Sequence, residues 1–157
     1  MFAIGDKIVY PMHGAGIIEE IEEKKILGET REYYILRVSC GEMKVMIPVS
    51  ASKEIGVRAI ATPDMLSAAL ELLGDKSTEM SDNWNRRYRE NMEKLKTGNI
   101  NDVAEVVRNL TRADRIKKLS TGEKKMLSNA KQILISELIL IRDISQEEAE
   151  DVIESMV

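Results

Sequence analysis

Ala59-Ile60-Ala61-Thr62-Pro63-Asp64-Met65-Leu66-Ser67-Ala68-Ala69-Leu70-Glu71-Leu72-Leu73-Gly74 is the stretch at which the chain changes period. Before it, short apolar runs alternate with turn residues and carry no helical spacing. After it, Met65, Leu66, Ala69, Leu70 and Leu73 recur at the three-to-four spacing of one helix face. Thr62 is placed to cap that helix, Pro63 fits its first position, and Gly74 ends it. The expected architecture is therefore α+β in two domains, with residues 1–60 forming a small antiparallel β-barrel and residues 61–157 an all-α bundle.

Working upstream, Asp6 to Tyr10, Ile17 to Ile21, Tyr33 to Val38 and Met43 to Ile47 read as four short strands. His13-Gly14-Ala15-Gly16, Leu27-Gly28-Glu29 and Ser39-Cys40-Gly41 read as the turns between them. Gly14-Ala15-Gly16 precedes a strand rather than opening a helix, so a tight turn is expected in place of a phosphate cradle. In the fourth strand, alternation puts Met43, Val45 and Ile47 in the core and turns Met46 outward beside Lys44. An exposed methionine next to Pro48 suits a protein-docking spot, because thioethers adapt to a partner's surface. It suits equally a lone exposed apolar side chain of no consequence.

Downstream, Ser81 or Asp82 is placed to cap a second helix running to Leu95. Asn101 or Asp102 is placed to cap a third, with Val103, Val106, Val107 and Leu110 on one face. Ser120-Thr121-Gly122-Glu123 and Ser145-Gln146-Glu147-Glu148 have the form of capping boxes, opening a long helix to about Ile141 and a terminal one. About five amphipathic helices result, each too short or too polar to persist alone.

Composition narrows the function. The chain is 43% hydrophobic and 32% charged, which fits a folded soluble domain. No apolar run reaches bilayer length, and the start lacks a basic-then-apolar leader, so a cytoplasmic protein without a membrane partner is expected. One cysteine and one histidine provide neither a disulfide framework nor a His/Cys zinc site. No nucleophile, phosphate loop or carboxylate pair stands out, so no catalytic residue, cofactor or metal is expected. The net charge of −4 conceals a segment, residues 84–131, carrying 13 Lys/Arg against 6 Asp/Glu. Such a block can attract a polyanion when the whole chain would not.

That block opens with Asn83-Trp84-Asn85-Arg86-Arg87-Tyr88-Arg89, which contains the sole tryptophan. Trp84, Tyr88, Met92 and Leu95 share one side of a helix, and Arg86 and Arg89 share another. Two readings follow from spacing. Either Trp84 anchors the bundle core and the arginines are a solvated face, or Trp84 projects from the first turn as an apolar wedge flanked by cations. The second arrangement is how minor-groove proteins enter a base step. A third possibility, a protein adaptor with no DNA contact, would bury Trp84 and leave the arginines without a role.

Five segments carry a family resemblance: Val9 to Gly16 (VYPMHGAG), Lys44 to Pro48 (KVMIP), Asn83 to Tyr88 (NWNRRY), Ala104 to Leu110 (AEVVRNL) and Leu119 to Leu127 (LSTGEKKML). Together the chain resembles the CarD/CdnL family of bacterial transcription regulators over essentially its whole length. The resemblance implies a Tudor-like (SH3-like) N-terminal domain that docks on the β subunit of RNA polymerase. It also implies a helical domain that touches promoter DNA with little sequence preference and stabilises the open complex. By position, Trp84 would be the wedge at the upstream edge of the bubble, with Arg86 and Arg89 on the phosphate backbone. Lys24, Met46 and Pro48 would lie in the polymerase-docking surface. Some relatives have arginine where this chain has Lys24 and Met46, so docking is expected to be more apolar here. The resemblance further implies a nucleoid-associated, monomeric protein without a cofactor.

Overall fold

A computed structural model describes all of residues 1–157. The N-terminal part is one antiparallel sheet of five strands, β1 (Lys7–Tyr10), β2 (Gly14–Ile26), β3 (Glu29–Val38), β4 (Lys44–Pro48) and β5 (Arg58–Ala59), in the order β4-β3-β2-β1-β5. This β unit followed by helices is the expected α+β arrangement, and its form is the Tudor-like one that the family resemblance implies. Ile8, Ile18, Tyr34, Leu36, Val38 and Ile47 form its buried cluster. A one-turn 3-10 helix, Val49–Ala51, and a short helix α1 (Ser52–Ile55) lead into β5.

Three features of the sheet differ from the sequence reading. The β2–β3 hairpin is longer than the apolar runs at its base, because the charged stretch from Glu22 to Arg31 continues the pairing to a tip at Leu27-Gly28. Gly14 and Gly16 are not turn residues. The turn is made by Pro11, Met12 and His13, with Met12 at a φ of 72°, and both glycines lie in β2 paired with β1. Finally, Met43 is 64% exposed instead of buried, because a turn through Gly41 and Glu42, both left-handed, delays the strand until Lys44. Met46 does face outward, as alternation required, and Ile47 is fully buried.

The helical part comprises α2 (Pro63–Gly74), α3 (Trp84–Lys96), α4 (Ile100–Ile116), α5 (Thr121–Arg142) and α6 (Gln146–Met156). Thr62 caps α2 by accepting the Met65 N–H, with proline at its start. Asn83 and Asn99, rather than the expected residues one to three positions away, cap α3 and α4. Asparagine is as good a cap as serine or aspartate, so position within the turn decides. The apolar stripes of α2, α4, α5 and α6, with Leu95 of α3, merge into one cluster of 21 buried side chains. No helix is long and apolar enough to cross a membrane.

Two devices fix where α3 begins. Arg108 and Arg112 of α4 donate to the C-terminal carbonyls of α2, Leu72 O and Leu73 O, where cations complement the helix dipole. Asn109 accepts the Thr78 N–H at 3.3 Å and donates to the Thr78 hydroxyl at 2.7 Å. The Arg-Asn pair inside the AEVVRNL segment thus ties the 75–83 connection to α4.

The sheet and the bundle meet along α5. Ser136 Oγ accepts the Ala15 N–H at 2.7 Å, and Ser136 O accepts from Ser39 Oγ at 2.7 Å. Glu137, 1% exposed, accepts Arg58 Nη2 at 2.7 Å and the Ala61 N–H at 3.0 Å. Arg58 Nε also donates to Gly98 O at 2.7 Å. Gly14 permits this approach, since a Cβ there would sit 2.8 Å from Ser136 Oγ. Met12 and Cys40 of the sheet's turns pack against the helical core.

Candidate nucleic-acid interface

Asn83 caps α3 through the Arg86 N–H, and the next residue, Trp84, therefore falls in the first helical turn at the bundle's edge. It is 41% exposed, so it is not a core anchor. The exposed indole is nevertheless held on several sides. Its Nε1–H donates to Ser120 Oγ at 2.9 Å, its ring stacks on Tyr88 at 5.2 Å and 21°, and Gly122 lies beneath it. A Cβ on Gly122 would lie 3.5 Å from the indole, an ordinary van der Waals contact, so the ring packs closely over the first turn of α5. Tyr88 and Met92 are half-buried against the core, and Leu95 is fully buried, so the apolar side of α3 fixes the direction of its tip.

The neighbouring cations divide into three kinds. Arg86 is exposed and pairs with Glu90 one turn along at 2.9 Å, a solvated contact worth only tenths of a kcal/mol. Arg89 is exposed and enters no ion pair in the structure. Arg87, which spacing leaves without a role, turns inward. Its Nε and Nη2 each donate to Glu123 at 2.9 Å, and its Nη1 donates to Ser81 O at 3.1 Å.

Glu123 is 2% exposed in the first turn of α5. The expected capping box at Ser120 is therefore only half made. Ser120 Oγ accepts the Glu123 N–H at 3.3 Å, while the Glu123 carboxylate is committed to Arg87. The hydrogen bonds from Arg87 hold the Glu123 carboxyl below the ordinary carboxylate range against the opposing effect of burial. The same hydrogen bonds raise Arg87 further. Because Glu123 titrates lower in the folded than in the unfolded state, its contribution is complete above the unfolded value of about 4.3 and fades as pH falls through the lower folded value. Melting curves across that acid range should show a shallower pH dependence for Glu123→Gln than for the parent; an identical slope would mean the pair contributes nothing to acid stability.

A cleft of about 650 Å³ opens beside the indole, between Trp84 and the α4–α5 connection. Ile116, 88% exposed, and the exposed Lys117 and Lys118 line it. No group of three or more His, Cys, Asp or Glu side chains is placed to hold a metal ion. Cys40 is half-buried, and burial, assisted by the charge of Glu150, raises its thiol above the usual value. That is the opposite of what a nucleophilic thiolate needs.

On the sheet, register puts Met46, Pro48 and Lys24 on one face. Met46 pairs with Ile35, Pro48 with Tyr33, and Tyr33 with Glu22, which lies 3.7 Å from Lys24. Met46 is 38% exposed. Lys44 and Arg37 lie at the other end of the face, both paired with Glu19 at 3.2 and 3.0 Å.

Residues 2–61 match the family model described as the CarD-like/TRCF RID domain, and residues 68–154 match that of the CarD C-terminal domain. The chain belongs to the CarD family. It is also 45% identical, over 94% of its length and 97% of the relative's, to the Bacillus subtilis (strain 168) protein described as "Putative transcription factor YdeB". These matches identify a CarD-like transcription regulator. Within this CarD-like chain the side chains missed by sequence reasoning are Arg87, Ser136 and Glu137. The last two carried a signal, since a Ser-Glu pair interrupts the apolar run Ile133-Leu134-Ile135 and Leu138-Ile139-Leu140. A carboxylate inside such a run must meet a donor from another element. Arg87 carried none, because its partner is 36 residues away.

Proposed function

We propose that this CarD-like regulator bridges RNA polymerase and promoter DNA during initiation. The outer face of the sheet, at Lys24, Met46 and Pro48, docks on the β subunit. Trp84 enters the minor groove at the upstream edge of the bubble while Arg86 and Arg89 meet the phosphate backbone, and the open complex is stabilised as a result. The observation that carries this reading is the placement of the sole tryptophan. It projects from a helix tip, 41% exposed, in the most basic segment of an acidic chain. An indole presented this way fits an unstacked base step, and wedging exchanges a few kcal/mol of unstacking for contact with the deformed duplex.

Arg89 is available to a phosphate without giving up an internal partner, and Arg86 need only leave a weak surface pair. With so few phosphate contacts, binding to DNA alone should be weak and salt-sensitive. Docking on polymerase raises the local concentration at one promoter edge and makes the weak contact useful. The protein acts as a monomer at the nucleoid, without a cofactor. The deciding experiment is promoter opening by the cognate polymerase with and without the protein; no change in opening or open-complex lifetime would overturn the proposal.

Docking has its own test. Met46→Asp puts a charge in the middle of the apolar part of the face, and its desolvation should lower affinity for the β subunit by about tenfold or more. Binding measured by calorimetry on the isolated β-subunit lobe should show this, and parent-like affinity would remove Met46 from the docking surface.

A further inference from the structure

We propose that Arg87 and Glu123 are positioning residues that set Trp84 in its working orientation before DNA arrives. The inference rests on the wedge reading of Trp84 and adds what aims the wedge. Arg87 is one helical turn from Trp84 and makes three directed hydrogen bonds. Two go to the Glu123 carboxylate and so fasten the first turn of α3 to the first turn of α5. The third reaches Ser81 O in the connection that enters α3, and Ser81 Oγ in turn accepts the Asn83 N–H at 3.2 Å.

Both surfaces that touch the indole belong to these fastened turns. Ser120, which accepts the indole N–H, is the cap of α5 three residues before Glu123, and Gly122 is the residue immediately before it. Tyr88, stacked on the indole, directly follows Arg87 on α3. A planar guanidinium on a buried carboxylate fixes angle as well as distance, which a lysine in the same place does not. A wedge held in one rotamer does not lose that freedom again on binding, so the pair raises affinity for the bubble edge without touching DNA.

The test uses the full-length protein and its sole tryptophan. Glu123→Gln and Arg87→Lys weaken the pair while leaving a partial hydrogen bond. Arg87→Met/Glu123→Met removes both charges together, which keeps the fold testable because a buried pair replaced by apolar side chains of similar size is tolerated. Trp84→Ala serves as the reference for loss of the wedge.

Acrylamide quenching and fluorescence anisotropy report how firmly the indole is held. The expected result is faster quenching and lower anisotropy in the Met/Met variant, with an open-complex lifetime shortened about tenfold, the scale of one lost charge-assisted hydrogen bond. Arg87→Lys should recover part of both, and affinity for the β subunit should not change. A folded Met/Met variant with parent-like lifetime, when Trp84→Ala shortens it, overturns the positioning role and leaves the wedge standing. If Trp84→Ala itself leaves the lifetime unchanged, the wedge reading fails and this inference fails with it.

Discussion

Trp84→Ala is expected to shorten the lifetime of the open promoter complex at least tenfold while leaving affinity for the polymerase unchanged. The magnitude follows from what the indole would replace at the bubble edge. Unstacking one base step costs a few kcal/mol, and a flat apolar surface filling the gap recovers a share of it. Losing about 1.4 kcal/mol of that share is already tenfold in the rate of collapse. The substitution should be structurally mild, because Trp84 is 41% exposed and its one hydrogen bond is to Ser120, which can turn to water. A protein that melts like the parent yet fails to prolong the open state is therefore the expected outcome. Lifetimes are read by competitor challenge of preformed complexes, and equal decay for variant and parent would sink the wedge.

The second large effect is one of stability. Glu137→Ala removes a buried carboxylate that serves two partners, Arg58 at 2.7 Å and the Ala61 N–H at 3.0 Å. Arg58 would then lie against the junction without its counter-charge, and Ala61, 4% exposed, would have a buried donor with no acceptor. Breaking a buried pair from one side costs about 4 kcal/mol. For a chain of this length that is a fall of roughly 10 °C in Tm. Glu137→Gln keeps one acceptor for Ala61 and should lose less. Calorimetry should also show whether the sheet and the bundle still melt in one transition. Two separated transitions in Glu137→Ala would mean that this residue joins them, whereas a small shift in a single transition would show that the apolar contacts of Met12 and Cys40 suffice.

How much could be read without coordinates depended on how local the cause was. The change at Thr62-Pro63, the stripe through Leu73 and the caps at Thr62, Ser120 and Ser145 were legible because each is decided within one helical turn. Exposure of Met46 followed from alternation within a paired strand. The same rule failed three residues earlier at Met43, because the left-handed turn at Gly41 and Glu42 is not part of the strand and alternation does not extend into it. The start of α3 was misplaced for a related reason. Ser81, Asp82 and Asn83 are all good caps, and the choice among them is made by α4, whose Asn109 holds the connection at Thr78. At the candidate interface, the tryptophan and the solvent-facing arginines stood out by type. The inward turn of Arg87 did not, since it exists only when the starts of α3 and α5 are brought side by side.

The seam along α5 gives the molecule a fixed length. Ser136 and Glu137 fasten the sheet near the far end of the helix whose opening turn carries Ser120 and Glu123 beneath the indole. One continuous helix thus spans from the sheet to the tip. At 1.5 Å per residue, the sixteen or so positions between Ser120 and Ser136 amount to about 24 Å. A regulator built on such a helix behaves like a caliper. On the proposed reading, with one jaw set on the polymerase, the other would reach the upstream DNA at a distance set by this helix.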